Sequence, residues 1–152
     1  MLTQNEAIQI AKTVIANNFP ELASKRIKYV FVAGKEHDYY MAVQWLIIGY
    51  RIYIEKRILK FSPEAFTGCL AHELAHLVLD SRESLWGRLW AIATGKSSDE
   101  TAEERNADLL AIDRGFGKAL LQFHQEHDKK YVAYNASEGM TKREIKKMLK
   151  KL

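Results

Sequence analysis

The chain has 152 residues, of which 47% are hydrophobic and 28% charged, and its formal net charge is +4. This length and composition are those of one soluble globular domain, able to bury about two-thirds of the surface of its unfolded chain. A single cysteine, Cys69, excludes an internal disulfide framework and fits a reducing compartment.

The sequence predicts a cytoplasmic protein. The longest uncharged run, Tyr39 to Tyr50, is too short to form a transmembrane helix. The first residues lack the basic start and the long apolar core of a signal peptide.

Residues 3–18 predict a first, amphipathic helix. Thr3 and Glu6 have the spacing of a capping box, and apolar residues recur along one face as far as Ile15. We expect this helix to cover a sheet and to have no chemistry of its own.

Three strand candidates follow, at residues 27–32, 39–48 and 51–55. The second is too apolar to face water on either side. The third alternates polar with apolar residues from Arg51 to Glu55, and its charges predict that it lies at an edge of the sheet. Together these elements predict an α+β fold with a small three-stranded sheet backed by the N-terminal helix.

The next helix contains the first chemical motif, His72-Glu73-x-x-His76. Ser62 is a good N-cap for this helix. Its own residues are apolar on nearly all sides, as in a buried helix. One helical turn separates His72 from His76, so both rings can reach one zinc ion. Beside them, Glu73 can take a proton from a zinc-bound water and pass it to a leaving group.

A third zinc ligand is expected in the acidic segment 101–111. Glu104 and Asp108 are four residues apart and share a helical face. Glu104 can bind the metal while Asp108 accepts the second N–H of a histidine ligand. Glu103 competes for the ligand role, but its face lacks the paired aspartate. Asp80, one turn beyond His76, is a second candidate for supporting a histidine.

The two motifs together resemble the gluzincin pattern of zinc metallopeptidases, shared by thermolysin-like enzymes and by the integral-membrane CAAX-prenyl endopeptidases. The Glu-x-x-Ala-Asp form from Glu104 to Asp108 is closer to the second group, but the membrane spans of that group are absent. The chain therefore looks like a minimal soluble relative. The resemblance covers roughly residues 62–115 and says little about the substrate.

This resemblance implies a single zincin-like domain with two zinc-bearing helices that hydrolyses a peptide or protein substrate. His72, His76 and Glu104 would bind Zn²⁺, and Glu73 would be the general base. In such folds an edge strand above the zinc binds an extended peptide, for which the third strand is the candidate. A tyrosine or histidine beyond the motifs often stabilises the tetrahedral oxyanion. The eligible residues are His124, His127, Tyr131 and Tyr134.

Residues 84–93 form an amphipathic segment that contains Trp86 and Trp90. It can dock on its own domain as a wall or lid of the cleft, which we favour, or make a peripheral membrane contact. After it, we expect a helix from Lys118 to about Asp128 and a last helix that starts at Thr141.

The C-terminal residues 135–152 are a candidate for a detachable basic tail, in which residues 135–139 are a flexible link and Thr141 and Glu144 have the spacing of a second capping box. Residues 141–152 carry six Lys or Arg against Glu144, a net +5, so the rest of the chain, within a total of +4, carries −1. We favour a solvated helix face over nucleic-acid binding. The alternative function is a zinc-containing regulatory or toxin-linked protein that binds DNA or a protein partner through this tail. A further hypothesis is latency, in which the tail docks near the cleft and lowers activity. Its rival makes the tail an integral part of the core.

Overall fold

The computed structural model describes residues 1–33, 39–46, 48–82, 100–130 and 139–151. In chain order its elements are α1 (Gln4–Asn18), β1 (Ile27–Val32), β2 (Met41–Leu46), β3 (Gly49–Glu55), α2 (Pro63–Arg82), α3 (Glu100–Ala111), α4 (Gly117–Lys130) and α5 (Lys142–Leu149). Two 3-10 turns, Pro20–Leu22 and Lys56–Lys60, and a π-helical turn at Ile112–Phe116 complete them. The predicted α+β fold, with a three-stranded sheet and an N-terminal helix, is confirmed.

Both predicted capping boxes are present. The backbone N–H of Glu6 donates to the Thr3 hydroxyl at 3.2 Å, and the Thr3 N–H donates to the Glu6 carboxylate at 2.7 Å. Thr141 and Glu144 repeat this exchange at the start of α5. Reciprocal bonds of this kind satisfy two backbone donors that a helix start leaves unpaired.

The prediction that the third strand lies at a sheet edge was wrong. The strand order is β1-β3-β2, with β1 parallel and β2 antiparallel to the central β3. Ile52 and Ile54 point into the core and are fully buried. Arg51 and Tyr53 lie on the opposite face and hydrogen-bond each other at 2.8 Å. The alternation of polar and apolar residues therefore indicates only that one face of the strand is covered. A central strand of a small sheet has one covered face just as an edge strand does.

The prediction that the second strand avoids water on both sides was also wrong. β2 lies at an edge of the sheet, and its residues Gln44 and Trp45 are exposed, the tryptophan to 46%. An edge strand has a neighbour on one side only, so its apolar residues stay partly accessible even where the sheet is covered.

One main core joins α1, the sheet and α2. α1 contributes small and branched residues such as Ala11 and Ile15, and with β1 it lines a cavity of about 240 Å³. α2 is buried nearly all round, as predicted, with Phe66, Leu70 and Leu74 fully covered. A second, smaller cluster lies under α5 and is formed by Ile112, Leu120, Met140 and Ile145.

Gly68 lets α4 cross α2 at very short distance. A Cβ atom at this position would stand 2.2 Å from the Ala119 carbonyl oxygen and 2.6 Å from the Leu120 nitrogen. These are backbone atoms of α4, so they can move only with the whole helix. The crossing matters for function because α2 bears the histidine motif.

None of the helices in the described part of the chain combines the length and the apolar character that a transmembrane segment needs. The predicted Trp86–Trp90 segment lies outside the described residues, so its docking and its membrane contact both stay predictions.

We expect Gly68→Ala to destabilise the protein. In an isolated helix this change would stabilise by about 1 kcal/mol, because alanine is the better helix former. The contact with α4 reverses the sign, since overpacking against backbone costs about 1–3 kcal/mol or more. Chemical denaturation of both proteins measures the difference, and a variant more stable than wild type would contradict the described crossing.

Candidate metal centre

The two motif histidines lie side by side on α2. Ser62 caps the helix, since its hydroxyl accepts the Ala65 N–H at 3.1 Å. From this start the helix runs unbroken through the motif, so His72 and His76 lie one turn apart. Their ring centroids are 4.7 Å apart and their Nε2 atoms 3.1 Å apart. Both Nε2 atoms therefore face the same point.

α3 brings Glu104 to that point. One of its carboxylate oxygens lies 3.0 Å from His72 Nε2 and the other 3.3 Å from His76 Nε2. The donor atoms of His72, His76 and Glu104 all lie within 4.8 Å of one another. The competing Glu103 is exposed and does not belong to this group. The predicted ligand set thus forms a group positioned to hold a metal ion.

Asp108 orients one histidine of the group. This aspartate is buried, and its Oδ1 lies 2.8 Å from His72 Nδ1, to which it offers an acceptor. With Nδ1–H donating to Asp108, the Nε2 of a neutral ring has its lone pair free to face a metal. Asp108 therefore lies where the sequence predicted it.

The second oxygen of Asp108 accepts the backbone N–H of Met140 at 2.6 Å. Sequence patterns did not indicate this contact, because a backbone donor has no residue type by which it can be recognised.

Close packing of charges shifts the pKa values of the site. Burial alone would lower the pKa of His72, but its hydrogen bonds to Asp108 and Glu104 outweigh this and raise the pKa to about 10. The same histidine contacts hold the pKa of Glu104 well below its usual range. Burial raises the pKa of Glu73 to about 7, although the charges of His72 and His76 oppose the shift.

The other predicted residues have four different outcomes. His127 is buried in an aromatic cluster with Tyr40 and Phe123. His124 lies closer to the site: burial lowers its pKa, and the charges of Asp108 and His72 also act on it. Asp80 lies half-buried one turn after His76. Tyr131 and Tyr134 are outside the described residues, so their predicted oxyanion role is not addressed.

Cys69 is a buried free thiol and does not belong to the donor group. Burial and the charge of Glu73 raise its pKa well above the usual value. A thiol that resists ionisation is a poor metal ligand, which agrees with its interpretation as a small core side chain.

Comparisons of the chain with protein-family models, with curated proteins and with solved structures gave no match. The function is therefore inferred from the site itself.

We expect zinc binding to release protons at neutral pH. His72, with a pKa of about 10, carries a proton at pH 7 that a metal ion must displace. Zinc affinity should therefore rise with pH between about 6 and 9, up to tenfold per unit for each proton released. Calorimetry in two buffers of different ionisation enthalpy counts these protons, and a count of zero would contradict the described contacts of His72.

Glu104→Ala should weaken zinc binding far more than Glu103→Ala. The first change removes one of the three converging donors, whereas the second alters an exposed neighbour on the same helix. Competition with a chromophoric chelator measures both affinities. Similar losses in the two variants would mean that α3 presents a different face to α2.

Proposed function

We propose that the protein is a zinc-dependent peptidase. Its donor set of two imidazole nitrogens and one carboxylate suits zinc and leaves a fourth coordination position open. The side chain of Glu104 is 33% exposed, so solvent and substrate can approach the donor group from this side. The observation that carries the proposal is the presence of Glu73 beside these donors.

Glu73 is suited to act as the general base. It follows His72 directly on α2, and the charges of His72, His76 and Glu104 all act on its carboxyl group. A pKa near 7 matches the need to accept a proton in one step and to donate it in the next.

The residues then divide the work as follows. Zinc would supply a Lewis acid that polarises the scissile carbonyl and acidifies the attacking water. Glu73 takes the proton of that water and delivers it to the leaving amine. Asp108 keeps the ring of His72 in one orientation and one tautomer.

The edge strand β2 is the proposed site for the peptide backbone. The sequence had indicated β3 for this role, but β3 is the central strand and both of its edges are paired. Of the two edge strands, β2 packs against α2, the helix of His72 and His76. Within the described residues this strand has a neighbour on one side only, so an extended substrate could pair with its other edge, and the exposed Trp45 would then be near the bound side chains.

The alternative of a non-enzymatic binding protein rests on α5. Basic residues of α5 and its C-terminal end, such as Lys146, Lys147 and Lys150, are exposed, so the helix presents a positive face to solvent. This face leaves Glu73 unexplained, and we therefore prefer the peptidase.

Glu73→Gln should retain zinc and lose hydrolysis. Glutamine keeps the shape of glutamate but cannot accept the proton, and general-base catalysis is worth about 10²–10⁴-fold in rate. Cleavage of a quenched-fluorescent peptide library and metal analysis measure the two properties. Glu103→Gln, an exposed change on α3, is the matched control. Wild-type cleavage rates in the Glu73 variant would refute the assigned mechanism.

A further inference from the structure

The carboxylate of Asp108 connects the metal centre to the C-terminal segment, residues 139–149. Its Oδ1 lies 2.8 Å from His72 Nδ1, and its Oδ2 accepts the Met140 N–H at 2.6 Å. Asp108 is only 2% exposed. Water therefore cannot easily replace either partner, and the orientation of the carboxylate depends on both.

Gly139 makes this approach sterically feasible. A Cβ atom at this position would stand 2.6 Å from Asp108 Oδ2. Glycine is therefore needed at this position for space. The carboxylate cannot shift to make room without lengthening its bonds to His72 or Met140.

The C-terminal segment is anchored to the same helix as Asp108. Met140 and Ile145 are buried in a cluster with Ile112, which begins the π-helical turn that directly follows α3. Three residues before Asp108, Arg105 makes an ion pair with Glu144 of α5 at 2.7 Å. One face of α3 thus binds the segment while Glu104 of the same helix faces the histidines.

We propose that residues 139–149 are part of the metal centre. Gly139 and Met140 are positioning residues: they hold Asp108 so that it can orient His72. Docking of the segment and binding of zinc are then coupled, and each strengthens the other. The proposal rests on the metal-binding part of the proposed function and not on hydrolysis. It predicts the opposite of latency, because undocking the segment would weaken the zinc site instead of opening it.

The first test compares the zinc affinities of wild type, Gly139→Ala and Gly117→Ala by chelator competition. Alanine at 139 displaces Asp108, and we expect a loss of about 10–100-fold, as for other changes to groups that support a ligand. Alanine at 117 would contact side-chain ends, Leu149 at 2.8 Å and Ile112 at 3.4 Å. It meets only flexible side-chain ends and leaves the contact between Met140 and Asp108 in place, so it should cost much less zinc affinity than Gly139→Ala. Equal affinities of wild type and Gly139→Ala would overturn the proposal.

A double-mutant cycle separates positioning from general destabilisation. If Gly139 acts through Asp108, then Gly139→Ala should change zinc affinity little in an Asp108→Asn background. Additive losses would show that the glycine acts by another route and would also overturn the proposal.

A measurement on the wild-type chain covers the case in which Gly139→Ala does not fold. Hydrogen exchange of the Met140 amide is followed with and without saturating zinc, with the Ala7 amide in the first turn of α1 as reference. Coupling predicts that zinc slows Met140 about tenfold or more relative to Ala7. An unchanged ratio would refute the coupling.

These results are separable from the fate of the peptidase proposal. A protein that binds zinc with the predicted dependence on Gly139 but cleaves no peptide would leave this inference standing. An active peptidase whose zinc affinity does not depend on Gly139 would support the proposed function and overturn this inference.

Discussion

The burial of the Asp108 carboxylate is the constraint on which the site depends. An ionised carboxylate taken out of water costs several kcal/mol unless hydrogen bonds replace its hydration. The structure meets this requirement with His72 from α2 and Met140 from the C-terminal segment. Ala107 and Ala111, fully buried on α3, are small enough to let the helices approach closely. The relative positions of three chain segments thus follow from satisfying one group.

Hydrogen bonds already gather the donor atoms before any metal ion binds. With its pKa raised to about 10, His72 is protonated on both ring nitrogens at pH 7, and it donates Nδ1–H to Asp108 and Nε2–H to Glu104. A metal ion at this point would have to displace the Nε2 proton, which would lower its apparent affinity at neutral pH. In return, the side chains lose little further freedom when the metal enters.

Much of the site could be predicted from sequence because helical geometry is local. The spacing of His72 and His76 fixes their common face, and the same rule selected Glu104 with Asp108 over Glu103. The capping boxes at Thr3 and Thr141 were likewise predicted from residues three positions apart. Each of these inferences uses contacts within one helix. In the structure the two helices lie side by side, so that His72, His76 and Glu104 form one group.

The failures concern contacts between distant segments. Alternation from Arg51 to Glu55 shows that one face of β3 is covered, but the side-by-side order of strands depends on long-range pairing that this pattern does not record. The hydrogen bond from Met140 to Asp108 joins residues 32 positions apart. Its donor is a backbone N–H, which every residue except proline has, so no residue type in the sequence predicts it. Gly139 was interpreted as part of a flexible link, whereas its lack of a Cβ gives Asp108 its space.

If the donor group binds zinc as proposed, the same helices serve folding and metal binding, and the two properties should depend on each other. His72 and Asp108 are 36 residues apart and Asp108 and Met140 are 32 apart, so the complete site exists only when these segments have folded together. A ligand that binds only the folded state stabilises it by mass action. Zinc would then stabilise the packing of α2, α3 and the C-terminal segment. Conversely, Gly68→Ala, one turn before His72 on α2, would alter the donor group by displacing the helix that bears both histidines.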